Sequence, residues 1–255
     1  MTTRTLPVIV HPQPDVYSCG PTALHAVYRF YGESLKLEQV LAEATMLEDG
    51  GTLAVLLGSD ALRRGYSAIL YSFNLTLLDP TWFAGGRPAV DVAAKLRAQG
   101  AVKRDKKRRA ASQAYAEFLQ LGGDLRMEDI TPQLLESFFA AGRPILAGVS
   151  ATYLYGCARE LDNGDYDDLR GEPSGHFVVL TGCRDNDVQL ADPWHPELSD
   201  VRKSVIPMSE DSTGLYYWVS MRRLLNAVLL GVLTYDGNLL VIEPAKGEAK
   251  PGGAA

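Results

Sequence analysis

Cys19, His176, Asp192 and Gln13 are the residues whose types and neighbours could do chemistry together. Cys19 stands in Tyr17-Ser18-Cys19-Gly20-Pro21-Thr22-Ala23-Leu24, a turn that runs into an apolar helical pattern. Unpaired backbone N–H groups and the positive dipole end at a helix start favour a thiolate over a thiol. Pro21 suits the first turn, where a missing N–H has no intrahelical partner to lose. Gly20 is expected to let a substrate carbonyl approach the backbone closely. His176 stands in Ser174-Gly175-His176-Phe177-Val178-Val179-Leu180, a turn leading into a strand, and Asp192 closes a second strand just before Pro193. A thiol hydrolase needs these parts: a nucleophilic sulfur, an imidazole within reach, and a group that holds the imidazole's other nitrogen. Gln13, six residues before Cys19, could donate its side-chain amide to an oxyanion beside the Cys19 backbone N–H.

Each residue also has a bland reading. Free cysteines are often buried and inert, Asp-Pro often does no more than end a strand, and a glutamine between prolines says little alone. Cys157 and Cys183 take the inert reading: one lies in a loop, the other in a hairpin turn, and neither precedes a helix. The base is found by elimination among four histidines. His25 sits on the same helix as Cys19, turned away and roughly 9 Å further along. His11 lies in a proline-flanked turn, and His195, after Asp192-Pro193-Trp194, reads as a rim residue. His176 remains. A turn near Arg184 to Asn186 would place His176 and Asp192 at the same end of adjacent strands, where the carboxylate can fix the imidazole tautomer.

The elements that must position them follow from periodicity. Leu6 to Val10 reads as a short strand. Apolar positions at Ala23, Ala26, Val27, Phe30 and Tyr31 mark a buried helical face that Gly32 ends. Leu37 to Met46 and Leu53 to Arg64 read as helices, and Tyr66 to Phe73 as a strand. Val90 to Leu121 reads as a helical section, followed by a helix from Pro132 to Ala141 and a strand from Pro144 to Ser150. Phe177 to Thr181 and Val188 to Ala191 form a hairpin across Gly182 to Asp187. Val201 to Ile206 is a strand, Val219 to Asn226 a short helix, and Gly231 to Tyr235 and Leu239 to Ile242 are strands around the turn Asp236-Gly237. Helices first and an antiparallel sheet second give an α+β arrangement, read as one domain over residues 1–245 with a flexible tail over 246–255.

Composition sets the outer limits. With 46% hydrophobic and 22% charged residues in 255, the chain can bury a substantial core. Its net charge of -6 makes a nucleic-acid partner unlikely as a class, since such proteins are normally basic. Three widely separated cysteines suit a reducing compartment better than a disulfide scaffold. No apolar run is long enough to span a bilayer and no secretory signal is visible, so a cytoplasmic protein without a membrane partner is expected. Paired Cys-x-x-Cys or His-x-x-x-His spacing and phosphate-binding Gly loops are absent from the sequence, so neither a metal nor a cofactor is expected.

Taken together, Gln13…Cys19-Gly20-Pro21-Thr22-Ala23, Gly175-His176-Phe177-Val178-Val179 and Asp192-Pro193 resemble the papain-like cysteine peptidases. Within them the chain is most similar to the bacteriocin-processing (double-glycine leader) peptidase branch. The six-residue Gln-to-Cys and sixteen-residue His-to-Asp intervals are typical of that arrangement, and Gly51-Thr52 looks like the family's element between helices. The resemblance implies a helical lobe (about 15–65) carrying the cysteine, a sheet lobe (about 144–243) carrying the histidine, and substrate between them. Residues about 87–122 form a helical insertion beyond a minimal domain. Hydrolysis of a peptide or amide bond through an acyl-enzyme is the leading reading. The same intermediate would serve an acyltransferase or transpeptidase, and a non-catalytic peptide-binding protein is the reading from another class. Lys103 to Arg109, six bases and one acid, reads as a solvated face or as a dock for an acidic segment of a partner. The acidic stretch Glu160 to Glu172 reads as a mobile lid over the cleft.

Overall fold

The structure, a computed structural model, describes residues 4–47, 50–194, 214–234 and 237–245. Strand β1 (Arg4–Thr5) leads to helices α1 (Cys19–Phe30), α2 (Leu37–Glu43) and α3 (Ala54–Arg63), then to strand β2 (Tyr66–Ser72). The short strands β3 (Phe83–Ala84) and β4 (Arg87–Pro88) pair with each other before α4 (Val92–Val102) and α5 (Lys106–Gln120). Next come β5 (Asp124–Arg126), α6 (Pro132–Ala140), β6 (Ile145–Ser150) and α7 (Ala151–Tyr155). The chain closes through β7 (Gly175–Arg184), β8 (Asp187–Ala191), β9 (Tyr216–Ser220), α8 (Met221–Leu230) and β10 (Asn238–Pro244).

The main sheet runs in the order β5-β2-β10-β6-β7-β8-β9, with β1 added against β7. All its pairs are antiparallel except β2 with β5, which is the α+β arrangement expected. Successive strand residues face opposite sides, and an apolar cluster covers each side. One joins α1, α3 and α5 to Leu70, Leu146, Val179 and Leu240. The other joins α6, α7 and α8 to Val149, Val178, Leu180 and Leu239. Strands in the middle of the sheet are buried on both faces, which is why β6 and β7 read as nearly unbroken apolar runs.

Several expected elements differ. Leu6 to Val10 is not a strand but a strap pinned by a side chain. Leu6 N–H donates to the Thr181 carbonyl (2.7 Å), while the Tyr216 hydroxyl receives Val10 N–H (2.9 Å) and donates to the Val8 carbonyl (3.1 Å). The helical section over 90–121 is two helices, because Asp105 takes the N-cap of α5 and accepts from Arg108 N–H (2.9 Å). The segment from Val219 starts as the end of β9. It turns helical only at Met221, where the Ser220 hydroxyl caps α8. Gly231–Thr234 is a 3-10 turn rather than a strand. Strand β7 continues to Arg184, so the hairpin turn shrinks to Asp185-Asn186, with Asp185 at φ 48°, and Cys183 lies in the strand opposite Val188. The helix from Leu37 stops at Glu43. Strand β5 and helix α7 had no sequence signal strong enough to mark them. The expected strand Val201 to Ile206, the tail 246–255, Asp236 and His195 lie outside the described residues.

Candidate active site

Cys19 is the first residue of α1, and from Gly20 through Tyr28 every residue of that helix is buried. The helix start presses so closely on its neighbours that a Cβ at Gly20 would collide with the Thr52 methyl and come within 3.2 Å of the Phe177 ring. Gly20 is therefore required by packing against β7 and the Thr52 loop. The turn before the helix is self-bonded: Asp15 Oδ1 accepts from Tyr17 N–H (2.8 Å), and the Ser18 hydroxyl donates to the Asp15 carbonyl (3.3 Å). Cys19 is half-buried and opens on a cleft of about 370 Å³ that His176, Gly175, Tyr17 and Thr52 also line.

His176 lies near the start of β7, opposite Val149 of β6. By alternation it belongs to the side of the sheet faced by α7 and α8, the side opposite α1. Standing at the strand's end, it faces the cleft that Cys19 also lines. The sulfur is near enough to favour a charged imidazole, whose Nε2 donates to Asp192 Oδ1 at 2.9 Å. This pairing leaves Nδ1 for the sulfur. Asp192, just past β8, is completely buried and accepts from four donors among the described residues. Oδ1 takes His176 Nε2 and Trp194 N–H (2.8 Å); Oδ2 takes the hydroxyls of Tyr155 (2.8 Å) and Tyr217 (2.6 Å). Burial works against a charged imidazole. The Asp192 carboxylate, its hydrogen bond and the nearby Cys19 sulfur outweigh burial and hold the His176 pKa well above the ordinary range.

Gln13 is buried, 3% exposed. Its amide Nε2 donates to the Asp15 carbonyl (2.6 Å), its backbone N–H to the Pro193 carbonyl (2.8 Å), and its Oε1 has no hydrogen-bond partner. The side chain thus sits between the Cys19 turn and the residue after Asp192, but it does not line the cleft. His25 points away as expected and is bonded at Nε2 to the Leu35 carbonyl (2.9 Å). His11 pairs with Arg29 (2.7 Å). Burial raises the pKa of both Cys157 and Cys183, which disfavours the thiolate at each. Among the described residues no cluster of His, Cys, Asp and Glu could hold a metal ion.

The cleft wall facing Cys19 comes partly from the acidic loop, through Glu160, Asp162, Asn163 and Gly164, and Lys107 of α5 reaches it as well. Sequence reasoning missed Tyr155 and Tyr217. They lie 37 and 25 residues from Asp192, on a helix and a strand that only the fold brings to it.

No protein-family profile matches the sequence, and no curated protein matches it by sequence. Solved structures do match by fold. A candidate C39-like peptidase from Bacillus anthracis superposes with a TM-score of 0.50 at 13% identity, covering 95% of this chain and 98% of the other. The peptidase domain of Streptococcus ComA, a bifunctional ABC transporter of a quorum-sensing pathway, matches at a TM-score of 0.42 and 14% identity, over 93% and 98%. A double-glycine-motif protease from an AMS/PCAT transporter, solved with its leader peptide, matches at 0.41 and 14%, over 96% and 100%. The fold is that of the C39-like peptidases, in keeping with the resemblance carried by the motifs.

Proposed function

We propose that the chain is a papain-like cysteine peptidase that cleaves a peptide bond through an acyl-enzyme on Cys19. The proton of the Cys19 thiol moves to His176 Nδ1, and the thiolate attacks the scissile carbonyl. The imidazolium then protonates the departing amine, and the neutral imidazole draws a proton from water as it attacks the thioester. Asp192 holds the imidazole by Nε2 and stabilises its charge. The Cys19 backbone N–H donates to the oxyanion, and the Gln13 amide would join it only by turning from Asp15 toward the cleft. The observation that carries this reading is the fully buried carboxylate bonded to an imidazole that shares a cleft with a sulfur at a helix start.

The substrate is a peptide or protein segment. The cleft wall carries Lys107 from the basic run together with Glu160 and Asp162. A peptidyl thiol-reactive probe tests the core of the proposal. Labelling of Cys19 in the wild type and its loss in His176→Ala is the expected result. Equal labelling of both proteins would refute it.

A further inference from the structure

The geometry points to Tyr155 and Tyr217 as positioning residues that clamp Asp192 and, through it, set the imidazole against the Cys19 sulfur. This deepens the peptidase reading and rests on it. A carboxylate offers about four acceptor sites, and Asp192 has a donor at each oxygen twice over: His176 and Trp194 on Oδ1, the two phenols on Oδ2. With both phenols on the far oxygen, the carboxylate cannot rotate about its Cβ–Cγ bond without breaking two charge-assisted hydrogen bonds in a site with no water-facing surface.

Each phenol has its own support. Tyr155 ends α7, a five-residue helix too short to stand alone. Ser150 caps its N-terminus, Gly156 ends it at φ 66°, and Arg223 from α8 donates to the Leu154 (2.8 Å) and Tyr153 (2.9 Å) carbonyls at its C-terminus. Tyr217 stands opposite Leu190 in the β8–β9 ladder, and Leu215, two residues earlier, accepts the Asp192 backbone N–H (2.8 Å). Neighbouring Tyr216 holds the strap that leads to Gln13. Strand β9 thus fixes Asp192 by backbone and side chain. Among the described residues, the ionisable groups around the imidazole and carboxylate are Cys19 from α1, Tyr155 from α7 and Tyr217 from β9, with Tyr17, Lys107, Glu160 and Asp162 on the cleft wall.

The test needs no substrate. The pH dependence of Cys19 alkylation by iodoacetamide, followed on the Cys19 peptide by mass spectrometry, reports how well the imidazolium stabilises the thiolate. In Tyr155→Phe and Tyr217→Phe the ring stays and one donor goes. Each should move the midpoint upward, toward that of His176→Ala, by about one pH unit, the scale of one hydrogen bond to a charged group. Tyr115→Phe is the control. Its hydroxyl is equally buried, bonded to Ser72 and Asn238, and its loss should leave the midpoint in place. Wild-type midpoints in both clamp variants, or an equal shift in Tyr115→Phe, would overturn the clamp alone. A wild type already matching His176→Ala would remove the sulfur–imidazole pair and the peptidase reading with it.

Discussion

At the scale of single residues, the arrangement turns on one charge balance. His176 would lose its proton on burial were Asp192 not ionised beside it. Its raised folded pKa therefore adds stability that is fully present below the unfolded imidazole value, about 6.5. That stability is lost as pH climbs through the folded value. Asp192→Asn removes the cause. We expect it to cost about 3 kcal/mol near pH 6, as for breaking a buried pair, and to abolish the alkaline decline in stability. Turnover should fall by about three to four orders of magnitude, because the imidazole loses its fixed tautomer. Urea titrations of wild type and variant at pH 6 and at alkaline pH check the sign; a variant whose stability still declines as the wild type does would contradict it. The sulfur, imidazole and carboxylate were legible in the sequence because each sits in a short local context that states its element. The phenols were not, because a tyrosine in an apolar stretch reads as core, and only tertiary contact shows where its hydroxyl points.

The elements show why the same residues are held where they are. Gly20 illustrates it. The Thr52 side chain cannot swing aside for an added methyl, since its hydroxyl is bonded to the Thr45 carbonyl (2.9 Å). Gly20→Ala should destabilise the protein by about 1–3 kcal/mol through overpacking and slow Cys19 alkylation by shifting the helix start. Thr52→Ser removes the offending methyl and keeps the hydroxyl, so the double variant should recover most of the loss. Thermal melts of the two single variants and the double variant form a cycle, and simple additivity would show that the contact is not the cause. Long periodic elements such as α1 and α3 were readable because their apolar spacing repeats over several turns. The break between α4 and α5 was not, since Asp105 reads as one acid among bases until its cap geometry is seen. Strap 6–10 was misread because an apolar run looks the same whether a ladder or a tyrosine hydroxyl satisfies its backbone.

Across the whole molecule, the site is a seam. Cys19 packs against the cluster on one side of the sheet, while Tyr155 and Tyr217, which hold Asp192, belong to the other. Cys19 and His176 share the cleft at the open end of β7. The 157–174 loop closes over that end, and its hydrogen bonds give it a defined form. Glu160 and Glu172 exchange both backbone bonds (2.9 and 2.8 Å). The Arg159 guanidinium donates to the Asp168 (2.6 Å) and Leu169 (3.3 Å) carbonyls, and Asp167 N–H donates to the Arg159 carbonyl (2.8 Å). Any opening must therefore break the ties at its base or carry the loop as a unit. Gly171 is the point where this can be tested, since a Cβ there would lie 2.5 Å from the Arg159 backbone and 2.7 Å from the Asp167 carbonyl. Backbone cannot yield as a side-chain tip can, so Gly171→Ala should spring the ties while leaving both apolar clusters intact. Trypsin has two target arginines in the loop, Arg159 at the tied base and Arg170 on the exposed side. Cutting after Arg159 needs local unfolding. It should be slow in the wild type and at least about tenfold faster in Gly171→Ala, the ratio expected when roughly 1.4 kcal/mol of local closure is lost. Equally fast cutting after Arg159 in the two proteins would mean that the loop base opens freely, as expected of a mobile lid over the cleft.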